Sequence, residues 1–186
     1  MNQTIKKETV GEILQHFYAT NDFGEDGGKH QNIAWIKFGF FSIPIPNTEA
    51  RKNNVYLHDV NHIVTGYPTT WKGETAISAW EIAAGGWKKL YFPWLLTLWA
   101  MGLGICFFTK STIKAFYEGL TKRHSLHIYL TKSEMMQLSV SELKQRFQNH
   151  PNSHQNLFIW SIVSVIVFLL PIFVLISSCM FFMTTL

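Results

Sequence analysis

The chain has 186 residues, 47% hydrophobic and 15% aromatic, with a formal net charge of +4. That length suits one compact domain with an accessory segment. Residues 1–89 carry nine Lys/Arg and nine Asp/Glu, so the surplus lies in residues 109–156, with seven Lys/Arg against three Asp/Glu. Such a surplus suits anionic lipid head groups and is too small and scattered for nucleic acid. Cys106 and Cys179 both lie in apolar stretches, which excludes a disulfide framework or a paired-cysteine metal site. The opening MNQTIKKETV has no apolar core, so no secretory signal is expected there.

In chain order, TVGEILQHFYA (9–19) places Val10, Ile13, Leu14 and Phe17 at helical spacing and predicts a short amphipathic helix. NDFGEDGGKH (21–30) reads as a loop. Residues 33–47 are aromatic and β-branched, but Pro44 and Pro46 exclude a central strand, leaving an extended or edge segment. NTEARKNN (47–54) reads as a polar connection. VYLHDVNHIVT (55–65) reads as a helix that Gly66 ends and Pro68 keeps from continuing. Thr69 or Thr70 can cap the next helix, which runs to Gly85 and Gly86.

Leu90 to Phe108 is a run of 19 uncharged residues, borderline for a hydrocarbon core that takes about 20. The segment either stays out of the bilayer, which we expect, or crosses it. Residues 111–120 and 133–148 read as amphipathic helices, and 149–156 as a linker. No charge occurs from Leu157 to Leu186, a transmembrane candidate with Pro171 as a kink point. The expected architecture is mostly α: a helical domain over 1–150 containing a metal-binding helical hairpin, then a C-terminal transmembrane anchor over 157–186.

Chemistry concentrates between His58 and Glu74. On a helix, His62 lies only ~40° around from His58, and Asp59 about 60° beyond His62, so all three side chains fit one arc. Glu74 falls in the first turn of the following helix, beyond Gly66 and Pro68. Two imidazoles and two carboxylates form a mixed nitrogen and oxygen set suited to zinc, iron(II) or manganese. A lone i,i+4 histidine pair also arises by chance on amphipathic helices.

The stretch His58-Asp59-x-x-His62, with eleven residues between His62 and Glu74, resembles the signature of the coenzyme Q (ubiquinone) biosynthesis family known as the fourth Coq protein. Gly66-x-Pro68-Thr69, Gly73 and the helix reaching Trp80 extend the resemblance over about 58–86. It is weaker through 111–146 and does not cover 157–186. The resemblance implies a mostly helical fold with a metal, zinc by family, on His58, Asp59, His62 and Glu74. It implies an isoprenoid-tail site with the apolar helix over 90–108 bordering its lipid channel, membrane association and oxidative decarboxylation of a prenylated aromatic ring with hydroxylation at the same carbon, a lyase-type step of ubiquinone biosynthesis. It also implies contacts with other quinone-biosynthesis proteins, and the alternative of a non-catalytic prenyl-lipid scaffold. The motif domain is expected on the cytoplasmic side.

Other residues carry weaker signals. Glu81 lies seven residues after Glu74 on nearly the same helix face; it reads as a second-shell partner for a ligand histidine or as a solvated carboxylate. Tyr67 and Trp71 flank the turn and can wall an aromatic substrate or simply pack. Arg123, His124 and His127 read as a solvated basic cluster. His150 and His154 are not expected to form a second metal site, because Pro151 lies between them. His58-Asp59 is also similar to the metal-dependent phosphohydrolases, but no Asp follows Asp59.

Overall fold

A computed structural model describes residues 7–24, 27, 31–38, 41–148 and 154–185. His30 and His150, with parts of the 21–30 loop and the 149–156 linker, lie outside them. The fold is mostly helical. The chain divides into two compact units, 1–66 with 124–148 and 67–123 with 149–186.

In the first unit, α1 (Val10–Asn21) starts at a capping box in which Thr9 and Glu12 satisfy each other's backbone N–H groups. Val10, Leu14 and Tyr18 form its buried face. Strands β1 (Ile33–Phe38) and β2 (Phe41–Pro46) pair antiparallel, Ile33 opposite Pro46 and Phe38 opposite Phe41. A two-stranded sheet has only edges, which is where proline is tolerated.

Helix α2 (Glu49–Thr65) begins earlier than the sequence suggests. The expected polar connection over 47–54 is instead a cap followed by helix. Thr48 accepts from the Arg51 N–H at 3.3 Å, and Lys52 pairs with Glu49 at 3.0 Å. Gly66 closes α2 in the left-handed region, its φ of 77° suiting a residue without Cβ, and its N–H donates to the His62 carbonyl at 2.8 Å.

The expected single helix over 133–148 is two: α6 (Lys132–Gln137) and α7 (Val140–Phe147). Leu138 is extended, and Ser139 opens a new capping box with Glu142. Ser139 also forms an antiparallel bridge with Thr9. A 3-10 turn, Ser125–His127, precedes them.

The second unit is a four-helix bundle of α3 (Trp71–Ala83), α4 (Tyr91–Phe107), α5 (Thr109–Gly119) and α8 (Leu157–Thr185). Thr70 caps α3, which is buried continuously from Thr75 to Ala83. Ala79, Ile82, Ala83, Met101 and Phe116 form the core, with Trp94, Leu98, Leu120 and Trp160 against it. Helices α4 and α8 run side by side in the same direction: Trp94 stacks on Trp160 at 5.4 Å, and Trp99 and Phe107 meet Phe168 at 5.5 and 6.2 Å. Helices α3 and α5 run the other way. Thr75 and Thr112 abut Gly104 at one end, and Trp80 and Ala83 abut Gly119 at the other. Helix α8 is long and apolar enough to cross a membrane.

Candidate metal centre

Helix α2 carries His58, Asp59 and His62; the two histidine rings meet each other, whereas the Asp59 carboxylate turns to Tyr18 of α1. His62 is nearly inaccessible and His58 half-buried. Their Nε2 atoms stand 3.1 Å apart, with the rings edge to face at 89°. With metal–nitrogen bonds of about 2.0–2.1 Å, an ion joined to both nitrogens would subtend roughly 100°. That lies between octahedral and tetrahedral values, so the spacing suits a divalent cation as well as an N–H···N hydrogen bond between the two imidazoles. Phe17 of α1 stacks on the His62 ring at 5.9 Å and limits its rotation.

Asp59 is buried, 5% exposed, and its Oδ2 accepts from the Tyr18 hydroxyl at 3.0 Å. Arg51, two turns before His58, donates from Nη1 to Asn47 Oδ1 at 2.8 Å. Asn47 in turn donates from Nδ2 to the Gln31 carbonyl at 2.7 Å, which fixes its amide orientation. Burial lowers the Arg51 pKa from its ordinary value, and the Asp59 charge partly opposes this.

His124 is not part of a solvated cluster. It is fully buried, its Nε2 lies 3.2 Å from Asn61 Nδ2, and its Nδ1 accepts from the Leu126 N–H at 3.0 Å. Asn61 Oδ1 accepts from the Ser125 N–H at 3.3 Å, and Ser125 Oγ donates to the Leu57 carbonyl at 3.0 Å. These bonds tie the histidine helix to the 3-10 turn. The partners are more than sixty residues apart, so no local sequence window contains both.

Glu74, Glu81, Tyr67 and Trp71 belong to the second unit. Glu74 lies in the first turn of α3, half-buried. A Cβ on Gly73 would overlap the Pro68 carbonyl, so glycine there permits the tight entry that places Glu74. Glu81 is fully buried, contrary to a solvated carboxylate, and accepts from Trp87 Nε1 at 3.2 Å. Tyr67 donates to Glu118 at 2.5 Å. Burial first, then that hydrogen bond and charge, raise the Tyr67 pKa well above the ordinary phenol range. Trp71 packs edge-on to Trp99 at 6.4 Å. A separate groove in this unit is lined by Phe116, Tyr117, Leu120, Asn156 and Phe158. Comparison with known families, with characterised proteins and with solved structures finds no match to the chain.

Proposed function

We propose that the chain is a membrane-anchored metalloprotein that acts on a prenylated aromatic ring acid by oxidative decarboxylation, as in ubiquinone biosynthesis: the carboxyl group leaves as carbon dioxide, and one oxygen atom from dioxygen, the two-electron oxidant, enters the same ring carbon as a hydroxyl. The observation that carries this reading is the 3.1 Å approach of the two Nε2 atoms on α2. His58 and His62 hold a divalent metal, zinc, iron or manganese, with Asp59 and Glu74 as the carboxylate ligands. Glu74 enters the set on its eleven-residue spacing from His62. Bound there, such a metal supplies Lewis acidity to a ring carboxylate or phenol.

The chain's own residues hold and orient that set. Tyr18 keeps one Asp59 oxygen engaged, and Phe17 keeps the His62 ring in place. With its pKa raised, Tyr67 stays a protonated phenol at neutral pH and remains a hydrogen-bond donor.

Metal content of the detergent-purified protein tests the reading, beside a His58→Ala, His62→Ala double variant. About one metal per chain, lost in the variant, supports the site. Turnover of a prenylated hydroxybenzoate to a decarboxylated, hydroxylated ring then supports the reaction. No bound metal after metal-replete growth overturns the catalytic reading and favours a prenyl-lipid scaffold.

A further inference from the structure

Helix α8 changes character along its length. From Leu157 to Leu169 most residues are at least partly covered, and Ser164 is fully buried against α4. A Cβ on Gly102 would overlap the Ser164 carbonyl, so the two backbones nearly touch there. From Leu170 to Met183 every residue is exposed, on every side of the helix. No polar face interrupts this second half: Phe173, Leu175, Phe181, Phe182 and Met183 are all at least 63% exposed.

The change occurs where the rest of the unit stops. Phe168 meets Phe107, the last residue of α4. Helix α5 begins two residues later at Thr109, with Lys110 exposed, and runs back so that Phe116, Tyr117 and Leu120 near its end face the start of α8 across a groove. Helix α3 also begins at this end, with Trp71 against Trp99, which in turn meets Phe168, and with Lys72 exposed. One end of the bundle therefore carries a rim of Trp71, Phe107, Lys72 and Lys110, and the bare half of α8 projects from it.

We propose that the bilayer begins at this rim, so that only α8 from about Leu170 onward enters hydrocarbon, while Leu157–Leu169 and all of α4 stay outside it. The occupant of the bare surface is lipid. Lys72 and Lys110 face anionic head groups, and the tryptophan rings sit at the interface that such rings prefer. Fourteen exposed residues rise about 21 Å, enough to cross one leaflet and enter the second of a ~30 Å core.

The outer face of the first half is apolar too, with Phe158, Ile159, Ile162 and Ile166 exposed. Charge decides against its insertion. Lys110, Lys114 and Glu118 lie on α5 at the same levels, and inserting α8 from its first turn carries all three into hydrocarbon, where ionised side chains are strongly disfavoured. This inference is independent of the metal reading, because it uses no ligand residue.

The two native cysteines report on it. Cys106 is the penultimate residue of α4, beside the rim, and Cys179 lies nine residues beyond Leu170, about 13 Å along the helix. The experiment uses the full chain in nanodiscs of phosphatidylcholine and phosphatidylglycerol, which expose both membrane faces, and a charged, membrane-impermeant maleimide. Three single-cysteine proteins are compared: native Cys106, native Cys179, and Phe158→Cys in a Cys106→Ser, Cys179→Ser background. We expect Cys106 and the cysteine at 158 to react at least tenfold faster than Cys179, with all three reacting equally in denaturing detergent. Bimane on Cys179 should be quenched by brominated acyl chains. Protection of all three overturns the proposal and means that α8 inserts from its first turn. Rapid labelling of Cys179 overturns it by placing the bare half in water. Protection of Cys179 without quenching overturns it in favour of a second copy covering the helix.

Discussion

His62 Nε2 and His58 Nε2 face each other across 3.1 Å, but their surroundings differ. His62 is 2% exposed and stacked under Phe17, whereas His58 is only half-buried. The two single alanine variants should therefore separate binding from folding. Each should lose the metal. In chelator, His58→Ala should lose about 1 kcal/mol, since its ring is only half-buried. His62→Ala should lose about 2 kcal/mol, because it empties a packed site. Excess zinc at a hundred times its Kd should stabilise the parent by about 2.7 kcal/mol and neither variant. Thermal unfolding with and without zinc reads both effects.

Tyr18→Phe removes the donor to a carboxylate that is 5% exposed. Loss of one hydrogen bond to a buried charged acceptor costs about 1.5–3 kcal/mol. Loss of a group that orients a metal-binding carboxylate costs on the order of 10–100-fold in metal affinity. Parallel urea unfolding and zinc titration check the two effects. A stability loss with unchanged zinc affinity would remove Asp59 from the ligand set.

Gly73→Ala should be among the most damaging small substitutions. Its Cβ would overlap the Pro68 carbonyl, which is backbone and cannot swing aside. Overpacking at a rigid contact costs up to about 3 kcal/mol. Gly66→Ala strains the backbone instead, since φ there is 77°, but nothing crowds its Cβ. The expected cost is about 1 kcal/mol. Comparing the melting temperatures of the two variants distinguishes contact from backbone strain.

Helices α6 and α7 are each opened by a capping box. The Thr131 side chain, then its backbone N–H, lower the pKa of Glu134; Ser139 does the same for Glu142. A depressed carboxylate pKa means that the folded state favours the charged form. The stabilisation is thus complete above the unfolded glutamate pKa and is lost as pH falls through the lower folded value. The first unit should soften on that acid branch. Glu134→Gln with Glu142→Gln should flatten the dependence, as followed by circular dichroism melts from pH 7 to pH 3.

Ser164→Ala should not destabilise. Its Oγ is buried between α4 and α8 and has no hydrogen-bond partner among the described residues. Removing an unsatisfied hydroxyl relieves a desolvation cost of about 1 kcal/mol. A rise in melting temperature is expected, and a fall of several degrees would show that the hydroxyl is bonded in solution.

Local signals made much of this legible. Thr9, Gly66 and Thr70 mark helix ends because capping is decided within four residues. The 3.6-residue period alone brings His58 and His62 to one side. The first two turns of α2 were illegible because Glu49 to Asn54 carry no apolar period; their helix rests on the Thr48 cap and ion pairing. The pairing of Tyr18 with Asp59 spans 41 residues, and that of Asn61 with His124 spans 63. No local window contains both partners. Burial of Glu81 was hidden likewise, because α3 is covered all round and shows no polar face to mark.

Pro171 stands one residue beyond the point where α8 loses its neighbours. Without an N–H it leaves the Val167 carbonyl unbonded within the helix, and its ring crowds that same carbonyl. The ladder is thus interrupted where lateral support also ends. Stiffness drops there, and the helix gains a swivel between its two halves. With a bilayer starting at the rim, tilting of the second half with local bilayer thickness would be absorbed at one peptide unit, leaving the packing of Trp94, Trp99 and Phe168 undisturbed.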